Sequence, residues 1–163
     1  MKPLILFVCT GNVCRSPMAA ALFEAKAQRA GDGERFRVAS AGTWALENQP
    51  ATEFARATLR RRGLSLDAHR GRMITPQLMN EAALVIVMTR DHQSALAAEF
   101  PEMRSKVHLM SEFANQSYDI SDPYGGPPER YEACAAELSR LIESGYSHVA
   151  EWLAADSRVP SPT

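Results

Sequence analysis

The sequence lacks the features that mark several large protein classes. Its 163 residues carry a formal net charge of −1, so no basic excess indicates a nucleic-acid-binding surface. No apolar run approaches the roughly 18 residues that a membrane span needs. Met1-Lys2-Pro3 leads directly into a strand pattern rather than a secretion signal. We therefore expect a cytoplasmic protein with no nucleic-acid partner and no membrane partner.

Cysteine is scarce as well. The three cysteines are an odd number, and their spacing fits neither a zinc site nor a disulfide framework. A cytoplasmic compartment would keep them reduced. Cys134 falls on the apolar face of a helical pattern and is interpreted as a core residue. No group of His, Asp or Glu has convincing metal-ligand spacing, so we predict that the protein uses no metal and no other cofactor.

One stretch near the N-terminus, by contrast, combines residue types that bind phosphate. The apolar run Leu4–Val8 has the length of a buried strand and ends at Cys9. A short loop containing Gly11 follows, and Arg15-Ser16-Pro17 opens an Ala-rich helical pattern with Ser16 as its cap candidate. A loop between a strand and a helix N-terminus turns backbone N–H groups inward and favours a dianion. The stretch therefore predicts a phosphate cradle.

The side chains of this stretch predict covalent phosphoryl transfer. The field of the helix N-terminus favours the thiolate form of Cys9, which is the nucleophilic form. Arg15 can grip two phosphoryl oxygens with its planar fork, and the Ser16 hydroxyl can donate to the sulfur. Cys9 alone would more often be a buried cysteine at a strand end. A nucleotide-binding loop of the G-x-x-x-x-G-K-[ST] type is excluded because the loop has no lysine.

Residues Cys9 to Pro17, CTGNVCRSP, resemble the signature C-x5-R-[ST] of the low-molecular-weight protein tyrosine phosphatases. The similarity extends from Leu4 to about Trp152. It implies a phosphoric monoester hydrolase that forms a phosphocysteine, with phosphorylated proteins as partners and inorganic phosphate as product. The phosphate-binding positions that it implies are Thr10, Gly11, Asn12, Val13, Cys14, Arg15 and Ser16.

Buried strands alternate with helices along the chain, which predicts an α/β fold with a parallel sheet. The family implies a flavodoxin-like three-layer sandwich with strand order 2-1-3-4 and helices on both faces. We expect one domain over residues 1–156 and a flexible tail over 157–163. The predicted strands are Leu4–Val8, Phe36–Ala39, Leu84–Met88 and Val107–Leu109. The predicted helices are Ser16–Ala30, Ala51–Arg62, 75–80, a helix capped by Asp91 that ends near Phe100, and Glu129–Ala154, which Gly145 could divide in two.

A tyrosyl leaving group needs a proton, so a general acid must come from another segment. The loop 118–126 offers Asp119 and Asp122, and Pro123 stiffens the turn at Asp122. Asp122-Pro123-Tyr124 looks like the acid loop of the family, although most Asp-Pro pairs are only turns. We predict that Asp122 protonates the leaving oxygen and then activates water, which gives a bell-shaped pH profile on the acidic side of neutral.

The resemblance also implies a network that supports the phosphate loop, formed here by Asn12, Ser16, Ser40 and His69. Asn12 in a tight loop is suited to the left-handed conformation. His69 is interpreted as structural support and not as a base. The other histidines carry no functional signal: His92, His108 and His148.

Cys14 has two interpretations that the sequence leaves open. It can trap an oxidised Cys9 as a reversible disulfide, which would make the protein redox-sensitive. It can equally be a small apolar side chain packed beneath the loop. Two aromatic residues, Trp44 and Tyr124, are candidates for the walls of the substrate pocket by resemblance to the specificity loops of the family, with core positions as the alternative for each.

The substrate prediction depends on two positions. A bacterial branch of the family acts on phosphoarginine proteins; there the position of Val13 is typically Thr, and the acid loop tends to run into Gly-Gly, as at Gly125-Gly126. The apolar Val13 together with Tyr124 favours phosphotyrosine, with phosphoarginine as the alternative.

Two other functions are less favoured. A thioredoxin-coupled arsenate reductase relays oxidation through further cysteines, and none lies between Cys14 and Cys134. A non-catalytic phosphoprotein-binding module would not need Cys9, Arg15 and Asp122 together. We expect a monomer or a weak homodimer.

Overall fold

The computed structural model describes residues 1–156, and the predicted flexible tail 157–163 lies outside the described residues. Four parallel strands form one sheet in the order β2-β1-β3-β4, which confirms the predicted fold class. The strands are β1 (Leu4–Cys9), β2 (Arg37–Gly42), β3 (Ala82–Val87) and β4 (Val107–Leu109). The helices are α1 (Arg15–Arg29), α2 (Glu53–Arg61), α3 (Pro76–Glu81), α4 (Arg90–Glu99) and α5 (Pro128–Asp156), with 3-10 turns at Pro101–Lys106 and Met110–Ala114.

The central strand β1 is buried on both faces, which explains its unbroken apolar sequence. Ile5 and Phe7 point into one core, which contains apolar residues of α1, α2 and α5. Leu4 and Leu6 point into the other core, which contains residues of α3 and α4. The alternation along one strand thus creates the three layers. Within residues 1–156 no helix is both long and apolar enough to cross a membrane.

The carboxyl ends of the strands bring several loops to one edge of the sheet. Cys9 ends β1 beside Gly42 of β2, and the loop after β3 lies next to the loop after β4 because Ile120 N donates to Met88 O at 2.9 Å. A parallel sheet binds ligands at this edge. The loop 10–14 and the segment 118–124 therefore face a common space.

Two predicted helix caps are wrong. The residue before α1 is Cys14, which makes no side-chain cap, and Ser16 lies inside the helix with its hydroxyl near Cys9 Sγ. Thr89 caps α4 in place of Asp91, because Thr89 Oγ1 accepts from His92 N at 3.1 Å. The α4 cap is thus a hydroxyl two residues before the predicted carboxylate, whereas α1 begins without a side-chain cap.

Gly145, which could have divided the last helix, does not do so, since α5 runs without interruption from Pro128 to Asp156. A Cβ atom at Gly145 would overlap the backbone of Phe113. The glycine therefore allows the close approach of α5 to the 3-10 turn Met110–Ala114, and it does not end the helix.

Candidate active site

A cavity of about 230 Å³ opens at the carboxyl edge of the sheet. Its floor is the loop 9–15, and its rim is formed by Trp44, Leu46, Asp122 and Tyr124. The structure therefore brings together residues that lie more than 100 positions apart in the chain. Every residue predicted to bind phosphate lines this cavity except Ser16, which is fully buried beside it.

Cys9 lies at the base of the cavity with its side chain almost fully buried. Its Sγ is 2.9 Å from Ser16 Oγ. Because Asn12 Nδ2 donates to that same hydroxyl oxygen at 2.8 Å, the hydroxyl proton of Ser16 points elsewhere and can donate to the sulfur at 2.9 Å, with Ala41 O as a longer alternative acceptor at 3.5 Å. Such a donor stabilises negative charge on Cys9, both as a free thiolate and as the leaving group from phosphorus.

Asn12 holds the loop in its curved shape. Its φ of 59° is in the left-handed region, which asparagine tolerates better than most residues. The fully buried side chain donates to Ser16 Oγ and, at 3.0 Å, to Ser40 Oγ, while its Oδ1 accepts from Arg72 N at 3.0 Å. The side chain thereby joins the loop to β2 and to the segment after α2.

His69 supports Asn12 through a hydrogen bond to the backbone carbonyl of Asn12. Its Nε2 donates to Asn12 O at 2.6 Å. Burial lowers the pKa of His69, and the nearby Arg70 and Arg72 act in the same direction against the backbone hydrogen bond. The four residues of the predicted network, Asn12, Ser16, Ser40 and His69, therefore lie in one connected set of hydrogen bonds.

Arg15 is the buried cation of the site, with only 4% of its surface exposed. One guanidinium nitrogen donates to Ile120 O at 2.9 Å, and the other is 3.4 Å from Asp122 Oδ2. Among the residues that the structure describes, no atom accepts from the buried Nε–H of Arg15. A buried cationic donor without a hydrogen-bond partner destabilises the fold unless a ligand accepts a hydrogen bond from it. The cavity is therefore suited to bind an anion.

The two acidic residues of the second loop have different environments. The Asp122 side chain is 48% exposed at the rim, and its Oδ1 accepts from Tyr124 N at 3.1 Å, which fixes the turn. Asp119 instead accepts from both the backbone N and the Nε of Arg90, and these bonds lower the pKa of Asp119. Asp119 therefore ties the loop to the start of α4, whereas Asp122 lies at the rim of the cavity, where a bound ligand would reach its exposed carboxylate.

Apart from Asp122, the side chains at the rim of the cavity are largely apolar. Trp44 is 77% exposed and Tyr124 is 60% exposed, so neither residue belongs to the core. Leu46, which the sequence did not single out, joins them and is 42% exposed. Val13 lines the cavity below this rim. These side chains can pack against the non-phosphate part of a substrate.

Cys14 lies behind the loop and is buried. Its Sγ is 3.5 Å from Thr52 Oγ1 and 3.6 Å from Tyr131 OH. Burial raises the pKa of the Cys14 thiol, and burial raises that of Cys134 to about 12. Both residues therefore occupy core positions, and burial disfavours the thiolate form of Cys14 in the folded protein.

His92 carries no functional signal in the sequence, yet its side chain reaches the site. Its Nε2 is 2.8 Å from Thr10 Oγ1, across 82 positions of the chain. The signal that could have found it is the pattern Thr89-x-x-His92, which resembles a capping box and fixes the ring at the start of α4. Within residues 1–156, no three His, Cys, Asp or Glu side chains converge as metal ligands.

Comparison of the sequence with known proteins finds one family of phosphatases. The family model described as low molecular weight phosphotyrosine protein phosphatase matches residues 4–156. The protein-arginine-phosphatase of Bacillus subtilis (strain 168) is 40% identical over 139 residues, which are 85% of this chain and 91% of that protein. The low molecular weight protein-tyrosine-phosphatase Wzb of Salmonella typhi is 38% identical over 140 residues, which cover 83% and 87%.

A solved structure shares the fold. It is a cysteine-to-serine mutant of the YwlE arginine phosphatase with a phosphorylated active-site serine; its TM-score is 0.85 at 36% identity, over 91% of this chain and 96% of that one. The strand order, the cavity at the sheet edge and the family match over nearly the whole sequence agree. The chain belongs to the low molecular weight phosphotyrosine protein phosphatase family.

Proposed function

We propose that this protein is a cysteine-dependent protein phosphatase that transfers the phosphoryl group of its substrate to Cys9. The observation that carries the proposal is the unpaired Nε–H of buried Arg15 at the wall of a cavity whose base is Cys9 Sγ. The arrangement combines a nucleophile with an anion-binding group of fixed orientation. The phosphorylated serine in the mutant relative indicates the same type of covalent intermediate for that protein.

In the first step, the Cys9 thiolate attacks phosphorus while Arg15 and the backbone N–H groups of the loop bind the equatorial oxygens. The S–P bond forms as the bond to the leaving oxygen breaks. Asp122, at the rim and 3.4 Å from the Arg15 guanidinium, gives its proton to the leaving oxygen. The products of this step are the dephosphorylated side chain and phosphocysteine.

In the second step, water attacks the phosphorus of the phosphocysteine. Asp122, now a carboxylate, takes the proton of the water, and the S–P bond breaks. The hydroxyl of Ser16 donates to the departing sulfur, which is 2.9 Å away in the resting protein. Inorganic phosphate leaves and Cys9 returns to the thiolate form. The proposed cycle uses no metal or other cofactor.

We propose phosphotyrosine as the substrate residue. Val13 offers a methyl surface inside the cavity, and Trp44, Leu46 and Tyr124 form an apolar rim above it. An aromatic ring between the phosphate and the peptide would pack against all four side chains. A guanidinium group would instead need polar partners at this depth, and Val13 supplies none.

Phosphoarginine is the second candidate, and two observations favour it. The B. subtilis and Geobacillus stearothermophilus relatives that carry the name protein-arginine-phosphatase are 40% and 41% identical to this chain. Gly125 and Gly126 follow Tyr124, so no second aromatic side chain narrows the mouth. The chemistry at Cys9 would be the same, with a P–N bond broken in place of a P–O bond.

The test is parallel turnover of phosphotyrosine and phosphoarginine peptides by the wild type and by Val13→Thr. We expect the wild type to prefer phosphotyrosine and the variant to move towards phosphoarginine. Dominant phosphoarginine turnover by the wild type would overturn the substrate assignment. Cys9→Ser is the control, since it should abolish turnover on both peptides; retained turnover would contradict the mechanism.

The proposal also includes the setting of the reaction. The described cysteines, Cys9, Cys14 and Cys134, are all free thiols, as a reducing cytoplasm would keep them. The partners would be phosphorylated proteins, which the named relatives also dephosphorylate. We expect a monomer or a weak homodimer.

A further inference from the structure

His92 and Thr10 form a hydrogen bond that the phosphatase mechanism described above does not use. The His92 ring is only 5% exposed, and its Nε2 is 2.8 Å from Thr10 Oγ1. Thr10 follows the nucleophile directly in the chain and lines the cavity. The contact joins the third residue of α4 to the first residue of the phosphate loop.

The partners of the ring determine which nitrogen carries the proton. The backbone N–H of Thr89 points at His92 Nδ1 at 3.2 Å, so Nδ1 must be an acceptor. A neutral imidazole that accepts at Nδ1 carries its proton on Nε2. The Nε2–H therefore donates to Thr10 Oγ1, and the hydroxyl proton of Thr10 has to point elsewhere.

The surroundings keep the ring neutral. Burial lowers the pKa of His92 to about 4, and the charge of Arg15 acts in the same direction against Asp91, Asp119 and Asp122. His92 Nε2–H therefore remains the donor, and Thr10 Oγ1 the acceptor, across the physiological pH range. A neutral donor orients the hydroxyl without adding a second positive charge beside Arg15.

We propose that His92 is a positioning residue, which holds the Thr10 hydroxyl so that its proton donates to the phosphoryl oxygens of a ligand in the cavity. The proposal rests on the phosphatase function proposed above. It assigns Thr10 a side-chain contact with the substrate in addition to its place in the loop. His92 acts only through Thr10.

The competing explanation is that His92 merely caps α4, through its bond to Thr89 N. Two substitutions separate these explanations, because asparagine and glutamine imitate different nitrogens of histidine. The amide of His92→Asn can replace Nδ1 and keep the cap, but it is too short to reach Thr10. The amide of His92→Gln can extend to the position of Nε2 and restore the donor.

The experiment measures the dissociation constant of inorganic phosphate by calorimetry, together with kcat and KM on a phosphotyrosine peptide and the melting temperature. The variants are Thr10→Val, Thr10→Ser, His92→Asn, His92→Gln and the double variant Thr10→Val/His92→Asn. His148→Asn is the matched control, because that ring contacts Glu151 and Trp152 within α5.

We expect Thr10→Val to weaken phosphate binding roughly tenfold, as for one lost hydrogen bond to a charged group. His92→Asn should weaken it about threefold to tenfold, and His92→Gln and Thr10→Ser should bind phosphate within about twofold of the wild type. The double variant should be no weaker than Thr10→Val alone, since the two residues act in series.

Three results would overturn the proposal. The first is wild-type phosphate affinity in Thr10→Val, a variant that leaves the cap of α4 intact. The second is a His92→Asn variant that melts earlier but binds phosphate like His148→Asn. The third is a wild type that does not bind inorganic phosphate. A wild type that binds phosphate but turns over no phosphopeptide would refute the proposed function while leaving the positioning effect measurable.

Discussion

Replacement of Asn12 by alanine should destabilise the protein more than any ordinary loop substitution. The change removes three side-chain hydrogen bonds, to Ser16, Ser40 and Arg72, each of which contributes about 1 kcal/mol net. It also leaves an alanine at a φ of 59°, which costs about 1 kcal/mol or more. The free energy of unfolding should therefore fall by about 4 kcal/mol, which lowers the melting temperature by roughly 10 °C.

Asn12→Gly provides the matched comparison, because it loses the same bonds without the left-handed strain. After the additional chain entropy of glycine, it should be more stable than Asn12→Ala by roughly 0.5 to 1 kcal/mol. Urea denaturation with linear extrapolation measures both variants. A loss below about 1 kcal/mol for Asn12→Ala would show that the network does not hold the loop. Equal stability of the two variants would show that backbone strain is unimportant there.

The remaining predictions concern catalysis, oxidation and pH. Asp122→Asn should lower kcat about 10²- to 10⁴-fold for phosphotyrosine, and less for esters with acidic leaving groups; an equal loss for both would contradict an acid role. Turnover should be unchanged by EDTA, and loss of activity on chelation would refute the metal-free mechanism. Cys14→Ser should keep turnover yet recover less after peroxide, and normal recovery would exclude Cys14 as the resolving thiol. Because the folded state lowers the pKa of His92 from 6.5 to about 4, stability from its neutral ring should be lost as pH falls from 6.5 to 4, by up to about 3 kcal/mol. This loss of stability on acidification should be smaller in His92→Gln. If the stability of His92→Gln depends on pH as that of the wild type does, the His92 ring is not the cause.

The fold could be predicted from the sequence because the buried strands carry a local signal. Leu4–Cys9 is apolar at every position, since one parallel strand must face two cores. The proximity of Cys9 and Arg15 was also predictable, because one loop contains both. Asp122, which is distant from Cys9 in the sequence, could be predicted only from the chemical need for a general acid and from the resemblance of Asp122-Pro123-Tyr124 to the acid loop of the family.

The cap predicted at Ser16 was wrong, the break that the sequence allows at Gly145 is absent and His92 was not predicted, all for one reason. The role of each residue depends on a contact with a residue that is close in space, and local sequence patterns do not show such contacts. The sequence allows a break at Gly145, because its neighbour Phe113 is 32 positions away in the sequence and close only in space. Ser16 is a cap candidate by pattern, whereas its contact with Cys9 depends on the curvature of the loop. His92 carries no signal in the sequence, because its partner Thr10 is 82 positions away.

The most direct test of the central claim is a rapid-quench experiment with a phosphotyrosine peptide. The enzyme is mixed with excess peptide, quenched in acid within the first turnovers and digested for mass spectrometry. We predict the mass of one phosphoryl group on the peptide that contains Cys9, together with a burst of released tyrosyl peptide no larger than the enzyme concentration. Turnover without phosphate on Cys9, or an unchanged rate in Cys9→Ser, would contradict the mechanism.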